Sequence, residues 1–335
     1  MDITHIAERI IAEVKESPKA SGAYLTRQEA AELAAWPDLA ALCDAADHIC
    51  RSLMGTEVDS CSIVNARSGL CGEDCKWCAQ AIRHHTACET YDHLEDEAVL
   101  EAGRRNSNEG IHRLSLVTSG RSLGDHDVDR LCGTYRKLAE QTDLGLCASM
   151  GLLTEPQLRR LREAGVTRYH CNMETSRAFF PTLCTTHTPD DKVATIRAAQ
   201  RAGMQVCSGG IIGMGESMED RIDLAFELAD LGVVSVPMNI LNPIPGTPLQ
   251  DTPPISEEDI IRTAAVWRFI LPDKAIRFAG GRMRLSPDSM RRMLRGGVNG
   301  ALMGDMLTTV SCTIAQDREL FHESGLTFQQ KTTQK

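Results

Sequence analysis

One phrase recurs along this chain and constrains its fold more than any other feature: a helical stretch that ends in glycine and passes at once into a short β-prone run. Glu163-Ala164-Gly165 precedes Val166-Thr167-Arg168-Tyr169-His170-Cys171, and Arg201-Ala202-Gly203 precedes Met204-Gln205-Val206-Cys207. The phrase returns in Asp230-Leu231-Gly232 before Val233-Val234-Ser235-Val236-Pro237, and in Arg295-Gly296-Gly297 before Val298-Asn299-Gly300-Ala301-Leu302. Glycine supplies the left-handed residue that closes a helix, and the apolar run then suits a parallel sheet covered on both faces. Further candidate strands lie at 60–65, 112–117, 145–149 and 275–279, which makes eight strands alternating with helices. Such alternation allows a doubly wound sheet or a barrel, and eight units favour an α/β fold of TIM type, a (β/α)8 barrel.

Residues 1–55 read as an N-terminal helical extension, with Thr26 and Glu29 as a capping box and a periodic segment over 38–54 closed by Gly55. The barrel is expected over 56–311, followed at 312–335 by a short helix and a polar tail from Gln329. No low-complexity linker divides the chain. At 335 residues and 42% hydrophobic content it can bury a large core. No apolar run reaches the length of a membrane span, and Met1-Asp2-Ile3-Thr4-His5 lacks a signal-peptide pattern, so a cytoplasmic location is expected. A formal net charge of -10 with no basic cluster argues against nucleic acid as a partner.

Thirteen cysteines in such a chain point to metal ligands plus buried thiols. Three of them stand close together in Cys71-Gly72-Glu73-Asp74-Cys75-Lys76-Trp77-Cys78. This spacing brings three thiolates onto one loop, enough for three irons of a 4Fe-4S cube, and leaves the fourth iron open to a chelating small molecule. A zinc site is the competing reading, with His84 or His85 near enough in sequence to close a tetrahedron. A disulfide with a spare thiol fits less well.

Active sites of such barrels lie at the C-terminal ends of the strands. There the chain places Cys71, Cys75 and Cys78 after the first strand, Ser115 on the second, Cys147 on the third, Asn172 and Glu174 at the end of the fourth, Cys207 on the fifth, Asn239 at the end of the sixth and Arg277 on the seventh. Cys43, Cys50, Cys132 and Cys312 fall on helices or the tail, and Cys61 on the first strand; all five are expected to be packed thiols. Cys88 and Cys184 lie in loops, and His187 is a candidate contact for a bound carboxylate or else a solvated histidine.

The cysteine spacing, with Trp77 just before the third thiol, resembles the signature of the radical S-adenosylmethionine (SAM) enzymes. Ser68 through Gln80, Asn172-Met173-Glu174-Thr175-Ser176, Val206 through Glu216, Ser235-Val236-Pro237-Met238-Asn239 with Gly246-Thr247-Pro248, and Ile276 through Arg282 together resemble the biotin synthase family. The similarity spans about Glu57 to Thr309. It implies insertion of one sulfur into dethiobiotin, using two SAM-derived radicals in sequence, by a homodimer with a donor such as flavodoxin or ferredoxin. It implies a SAM-binding 4Fe-4S cluster on Cys71, Cys75 and Cys78, with Trp77 and Ile211 against the adenine, Asn172 and Glu174 at the ribose and substrate, and Asn239 at the ureido ring of the substrate.

The family also implies a sulfur-donating auxiliary cluster, usually 2Fe-2S, held by cysteines on strands two, three and five and an arginine on strand seven. Cys147, Cys207 and Arg277 match three of those positions, but Ser115 stands where the remaining cysteine is expected, so the cluster here is either 2Fe-2S or a variant type. Cys171 is a possible replacement ligand, although strand alternation turns it to the face opposite Asn172. Arg277 is alternatively a plain salt-bridge partner. Two other functions stay open from the sequence: another radical SAM enzyme of the same barrel family, of mutase or hydrogenase-maturation type, and a non-catalytic metal or iron-sulfur sensor.

Overall fold

A computed structural model describes residues 2–304 and 313–328 of the chain. Nine strands, β1 (Asp59–Arg67), β2 (Arg113–Thr118), β3 (Gly145–Ser149), β4 (Val166–His170), β5 (Gln205–Cys207), β6 (Gly210–Ile212), β7 (Ser235–Ile240), β8 (Ala275–Phe278) and β9 (Gly300–Leu302), form one sheet in the order β5-β4-β3-β2-β1-β9-β8-β7-β6. All neighbours are parallel, and β5 also pairs with β7 through Cys207 and Ser235, which closes the sheet into a barrel. The ninth strand is a subdivision of the expected eight. β5 and β6 are one stave interrupted at Ser208 and Gly209, opposite Pro237 of β7, which has no N–H to give to the ladder. A β-carbon at Gly209 would lie 2.0 Å from the Pro237 carbonyl oxygen, so only glycine passes there.

Eleven helices are described: α1 (Ile3–Glu16), α2 (Arg27–Ala34), α3 (Leu39–Met54), α4 (Asp96–Asn108), α5 (Asp125–Gln141), α6 (Glu155–Glu163), α7 (Pro189–Arg201), α8 (Met218–Asp230), α9 (Glu257–Ile270), α10 (Pro287–Arg295) and α11 (Ile314–Glu323). The glycines of the recurring phrase, Gly165, Gly203, Gly232 and Gly297, all take positive φ, the conformation that lets each helix end and the next strand begin. The capping box of Thr26 and Glu29 is formed at α2, and Asp38 caps α3 by accepting from the Ala40 and Ala41 amides. The N-terminal helices are packed onto the barrel wall: α3 lies against α1, α9 and α10. The expected C-terminal boundary at 311–312, Cys312 and the tail 329–335 lie outside the described residues.

Strand alternation sorts the side chains of the barrel. Leu114 and Leu116 on β2, Leu146 and Ala148 on β3 and Val64 on β1 face outward into the apolar layer beneath the helices. Cys61, Ile63, Ser115, Val117, Cys147 and Ser149 face inward.

Candidate active site

The barrel interior holds a cavity of about 330 Å³ that runs from Trp77 and Cys78 at the C-terminal mouth to Cys61, Ser115, Cys147, Cys207 and Arg277 at its floor. That is room for a small molecule, not a macromolecule.

The thiol loop is shaped by backbone pairing. The Cys71 amide donates to the Gln80 carbonyl (2.9 Å), the Ile82 amide to the Cys71 carbonyl (2.8 Å) and the Cys78 amide to the Cys75 carbonyl (3.0 Å). The Gln80 side chain accepts from the Gly69 amide (3.0 Å), just before Leu70 at φ 52°. The loop is also stitched to the segment after β4. Asp74 accepts from the amides of Thr185 (2.9 Å) and Thr186 (3.2 Å) and from both hydroxyls, and the Lys76 amide donates to Leu183 (3.0 Å).

The donor set fits iron-sulfur ligation. Burial pushes the Cys78 thiol up to about 11, with Cys71, Glu174 and Cys88 adding to it. Cys75 is likewise raised, by its hydrogen bond with Cys184, by burial, and by the charges of Cys184 and Cys78. Soft ligands that resist carrying charge together are relieved by bound cationic iron. Neither histidine considered for zinc is in the one cluster of possible metal ligands among the described residues, and His84 Nδ1 is bonded to the Cys78 carbonyl (2.8 Å). Cys184, in the loop after β4 as its sequence position predicts, lies 3.7 Å from the Cys75 sulfur and 3.3 Å from His187 Nδ1. Cys75, Cys184 and His187 place their ligand atoms within 4.8 Å of one another. The Cys184-Thr185-Thr186-His187 spacing was the signal for this. His187 is neither solvated nor free at Nδ1, being buried and paired with Glu73.

At the mouth, Leu183, Met214 and Leu241 form a small apolar cluster separate from the main core, with Trp77, Phe179 and Ile211 packed on it. Trp77 meets Phe180 edge to face at 6.4 Å between ring centroids. Asn172 and Glu174 are brought together. Asn172 Nδ2 donates to Glu174 Oε2 (3.2 Å) and its Oδ1 accepts from the Gly209 amide (2.9 Å). Glu174 takes φ 74° and bridges to Gly210, whose absent β-carbon would lie 2.4 Å from the Glu174 carbonyl oxygen. Glu216 works on the backbone, accepting from the Gly213 (2.8 Å) and Met214 (2.7 Å) amides and pairing with Arg221. Asn239 is also engaged, donating to the Gly210 carbonyl (3.0 Å) and accepting from the Gly280 amide (2.9 Å), so one N–H and one lone pair remain for a ligand.

At the floor, Arg277 is paired with Asp59 (2.6 Å), and Arg168 reaches the same carboxylate at 3.4 Å. The salt-bridge alternative for Arg277 is therefore realised in part, yet its Nε has no hydrogen-bond partner. Burial pushes the Cys207 thiol up, but His170, Arg277 and Ser235 outweigh it and hold the value at about 7. A hydrogen bond with Cys61 and the guanidinium groups of Arg113 and Arg168 draw Cys147 down against its burial. Cys171 is not brought to this group; it packs in the apolar core and is absent from the cavity wall. One residue beyond β4, it continues the alternation in which Arg168, His170 and Asn172 face the cavity and Cys171 does not.

Comparison with known proteins decides the family. Residues 67–228 match the model of the radical SAM superfamily, and residues 237–327 that of the biotin and thiamin synthesis associated domain. The chain is 49% identical over 305 residues to biotin synthase of Porphyromonas gingivalis, covering 91% of this chain and 92% of that protein. The chain belongs to the biotin synthase family. Biotin synthase of Clostridium botulinum is 50% identical over 91% of this chain and 95% of its own length, and that of Alkaliphilus metalliredigens is 45% identical over 93% and 99%. Among solved structures, methylornithine synthase superposes with a TM-score of 0.80 at 20% identity, covering 97% of each chain. The hydrogenase maturase HydG of Carboxydothermus hydrogenoformans gives 0.78 at 15%, covering 97% of this chain and 79% of that one. These two show the shared barrel, while the biotin synthases set the family.

Proposed function

We propose that this chain is a radical SAM sulfurtransferase that inserts one sulfur between two unactivated carbons of dethiobiotin to give biotin. The observation that carries this reading is the one cavity that joins Trp77 and Cys78, the end of the three-cysteine loop at the barrel mouth, to Cys147, Cys207 and Arg277 at its floor. When bound, SAM on a 4Fe-4S cluster supplies the radical that removes each hydrogen, and an auxiliary iron-sulfur cluster supplies the sulfur.

In this reading Cys71, Cys75 and Cys78 hold the first cluster. Trp77 and Ile211, on the apolar cluster at the mouth, cover the adenine. Asn172 and Glu174 accept from the ribose hydroxyls, and Asn239 offers its remaining N–H and lone pair to the ureido group of the substrate. Cys147, Cys207 and Arg277 hold the sulfur-donating cluster. The buried floor keeps water from the reacting carbons. A homodimer and a reductant protein of flavodoxin or ferredoxin type are carried by the family resemblance, and a cytoplasmic setting and a barrel domain over 56–311 flanked by extensions, both read from the sequence pattern, belong to the same reading. Among the described residues, no helix is long and apolar enough to cross a membrane.

Anaerobic reconstitution with iron and sulfide, followed by reaction with SAM, a reductant and dethiobiotin, tests the proposal. Biotin and 5'-deoxyadenosine are expected together. Cleavage of SAM with no sulfur-containing product would overturn it in favour of another radical SAM reaction.

A further inference from the structure

Three thiols face the cavity floor, where the residues matched from the sequence supplied two. Cys61, Cys147 and Cys207 are 5%, 4% and 7% exposed, and each is set in the cavity wall while remaining outside the apolar core. Other buried cysteines lie elsewhere: Cys43, Cys132 and Cys171 are within that core, and Cys50, outside it, does not line the cavity. The direction of Cys61 is fixed by register. It shares the inward face of β1 with Ile63, while Val64 faces out, and pairing with β2 is continuous from Cys61 opposite Arg113 to Asn65 opposite Val117. A one-residue slip that turned Cys61 away would place Val64 in the cavity.

Two further groups at the floor lack the partners that burial demands. Ser115 Oγ, on β2 between the Cys61 and Cys147 strands, and Arg277 Nε are buried without a hydrogen bond, in residues 5% and 2% exposed. An orphaned hydroxyl and an orphaned guanidinium N–H beside three thiols need a polar occupant. Soft sulfur donors with a permanent cation nearby specify one that is metal-based and anionic. The Cys61 sulfur itself has the Ser62 carbonyl at 3.5 Å and the Cys147 sulfur as its polar neighbours.

We propose that Cys61 is an iron ligand of the auxiliary cluster, forming with Cys147 and Cys207 a three-thiolate set beside Arg277 in place of a ligand at Ser115. The inference rests on the auxiliary-cluster reading above and replaces the sequence expectation that Cys61 is a packed thiol. It also leaves Cys171 outside the ligand set.

The test uses the full chain with Cys71, Cys75 and Cys78 all changed to alanine, reconstituted anaerobically with iron and sulfide and read by iron and sulfide content and Mössbauer spectra. This background is expected to retain a cluster. Adding Cys61→Ser is expected to lower bound iron at least twofold or to replace the spectrum with one of mixed sulfur and oxygen ligation, as Cys147→Ser does. Adding Ser115→Ala or Cys171→Ala is expected to leave iron and spectrum unchanged. A Cys61→Ser protein with unchanged iron and spectrum overturns the inference while the auxiliary-cluster reading stands, as does loss of the cluster from Ser115→Ala alone. A background that binds no iron overturns both. Folding is checked by Cys61→Ser in the otherwise unchanged chain, whose first cluster and far-ultraviolet circular dichroism are expected to be kept; loss of that cluster too would mark a folding defect and overturn the assignment.

Discussion

Arg277 and Asp59 meet at 2.6 Å across the barrel floor, 218 residues apart in sequence, with the guanidinium almost wholly buried and the carboxylate shared with Arg168. The pair engages one nitrogen of Arg277 and leaves its Nε without a partner in the cavity that Cys61, Cys147 and Cys207 also line. Asp59→Asn keeps the shape and removes the charge, which strands a buried cation. A loss of about 3 kcal/mol is expected in urea unfolding of the cluster-free protein.

The same pair has a pH signature. Burial raises the Asp59 pKa, but Arg277 and Arg168 outweigh it and hold the carboxyl below its ordinary value. The stabilisation is fully present above the unfolded value of about 3.9 and is lost as pH falls through the lower folded value. The stability gap between wild type and Asp59→Asn should narrow as pH drops from about 5 to about 2. A gap that stays constant would show that the carboxylate charge is not its source.

Separate roles for the two ends of the cavity predict a split phenotype. Cys75→Ala should abolish SAM cleavage, whereas Cys207→Ala should retain some 5'-deoxyadenosine production while biotin formation falls by about 100-fold or more, equivalent to about 2.7 kcal/mol in the barrier. Equal loss of both products in both variants would refute the division.

Gly210→Ala tests the broken stave. The added β-carbon would stand 2.4 Å from the Glu174 carbonyl oxygen, which is backbone and cannot swing aside. The expected cost is about 1–3 kcal/mol of stability, with SAM binding weakened at least tenfold, about 1.4 kcal/mol. Anaerobic equilibrium dialysis with labelled SAM measures the second effect, and unaltered affinity would remove Glu174 from the binding site.

Glu174 holds positive φ, a conformation that costs a non-glycine residue about 1–3 kcal/mol. Glu174→Gly relieves that cost and deletes the carboxylate together. Thermal unfolding should be unchanged or raised, while SAM affinity and turnover collapse. A variant that is both less stable and fully active would mean the carboxylate serves the fold.

Local chemistry made much of this molecule legible from its sequence. Helix closure by Gly165, Gly203, Gly232 and Gly297 depends on a few adjacent residues, so the alternation of helix and strand and the barrel it implies could be read directly. The three-thiol loop was legible for the same reason, since Cys71, Cys75 and Cys78 are near neighbours in sequence and the backbone bonds that shape their loop are local. Tertiary structure decided what closure brings together. Register between β1, β2 and β3 turned Cys61 inward and left Ser115 without a partner, Pro237 broke the neighbouring stave at Gly209, and the loop after β4 laid Cys184 against Cys75. Each of these depends on the phase and pairing of segments far apart in the chain, where one residue of slip exchanges the cavity face for the core face, and periodicity within a single segment does not carry that information.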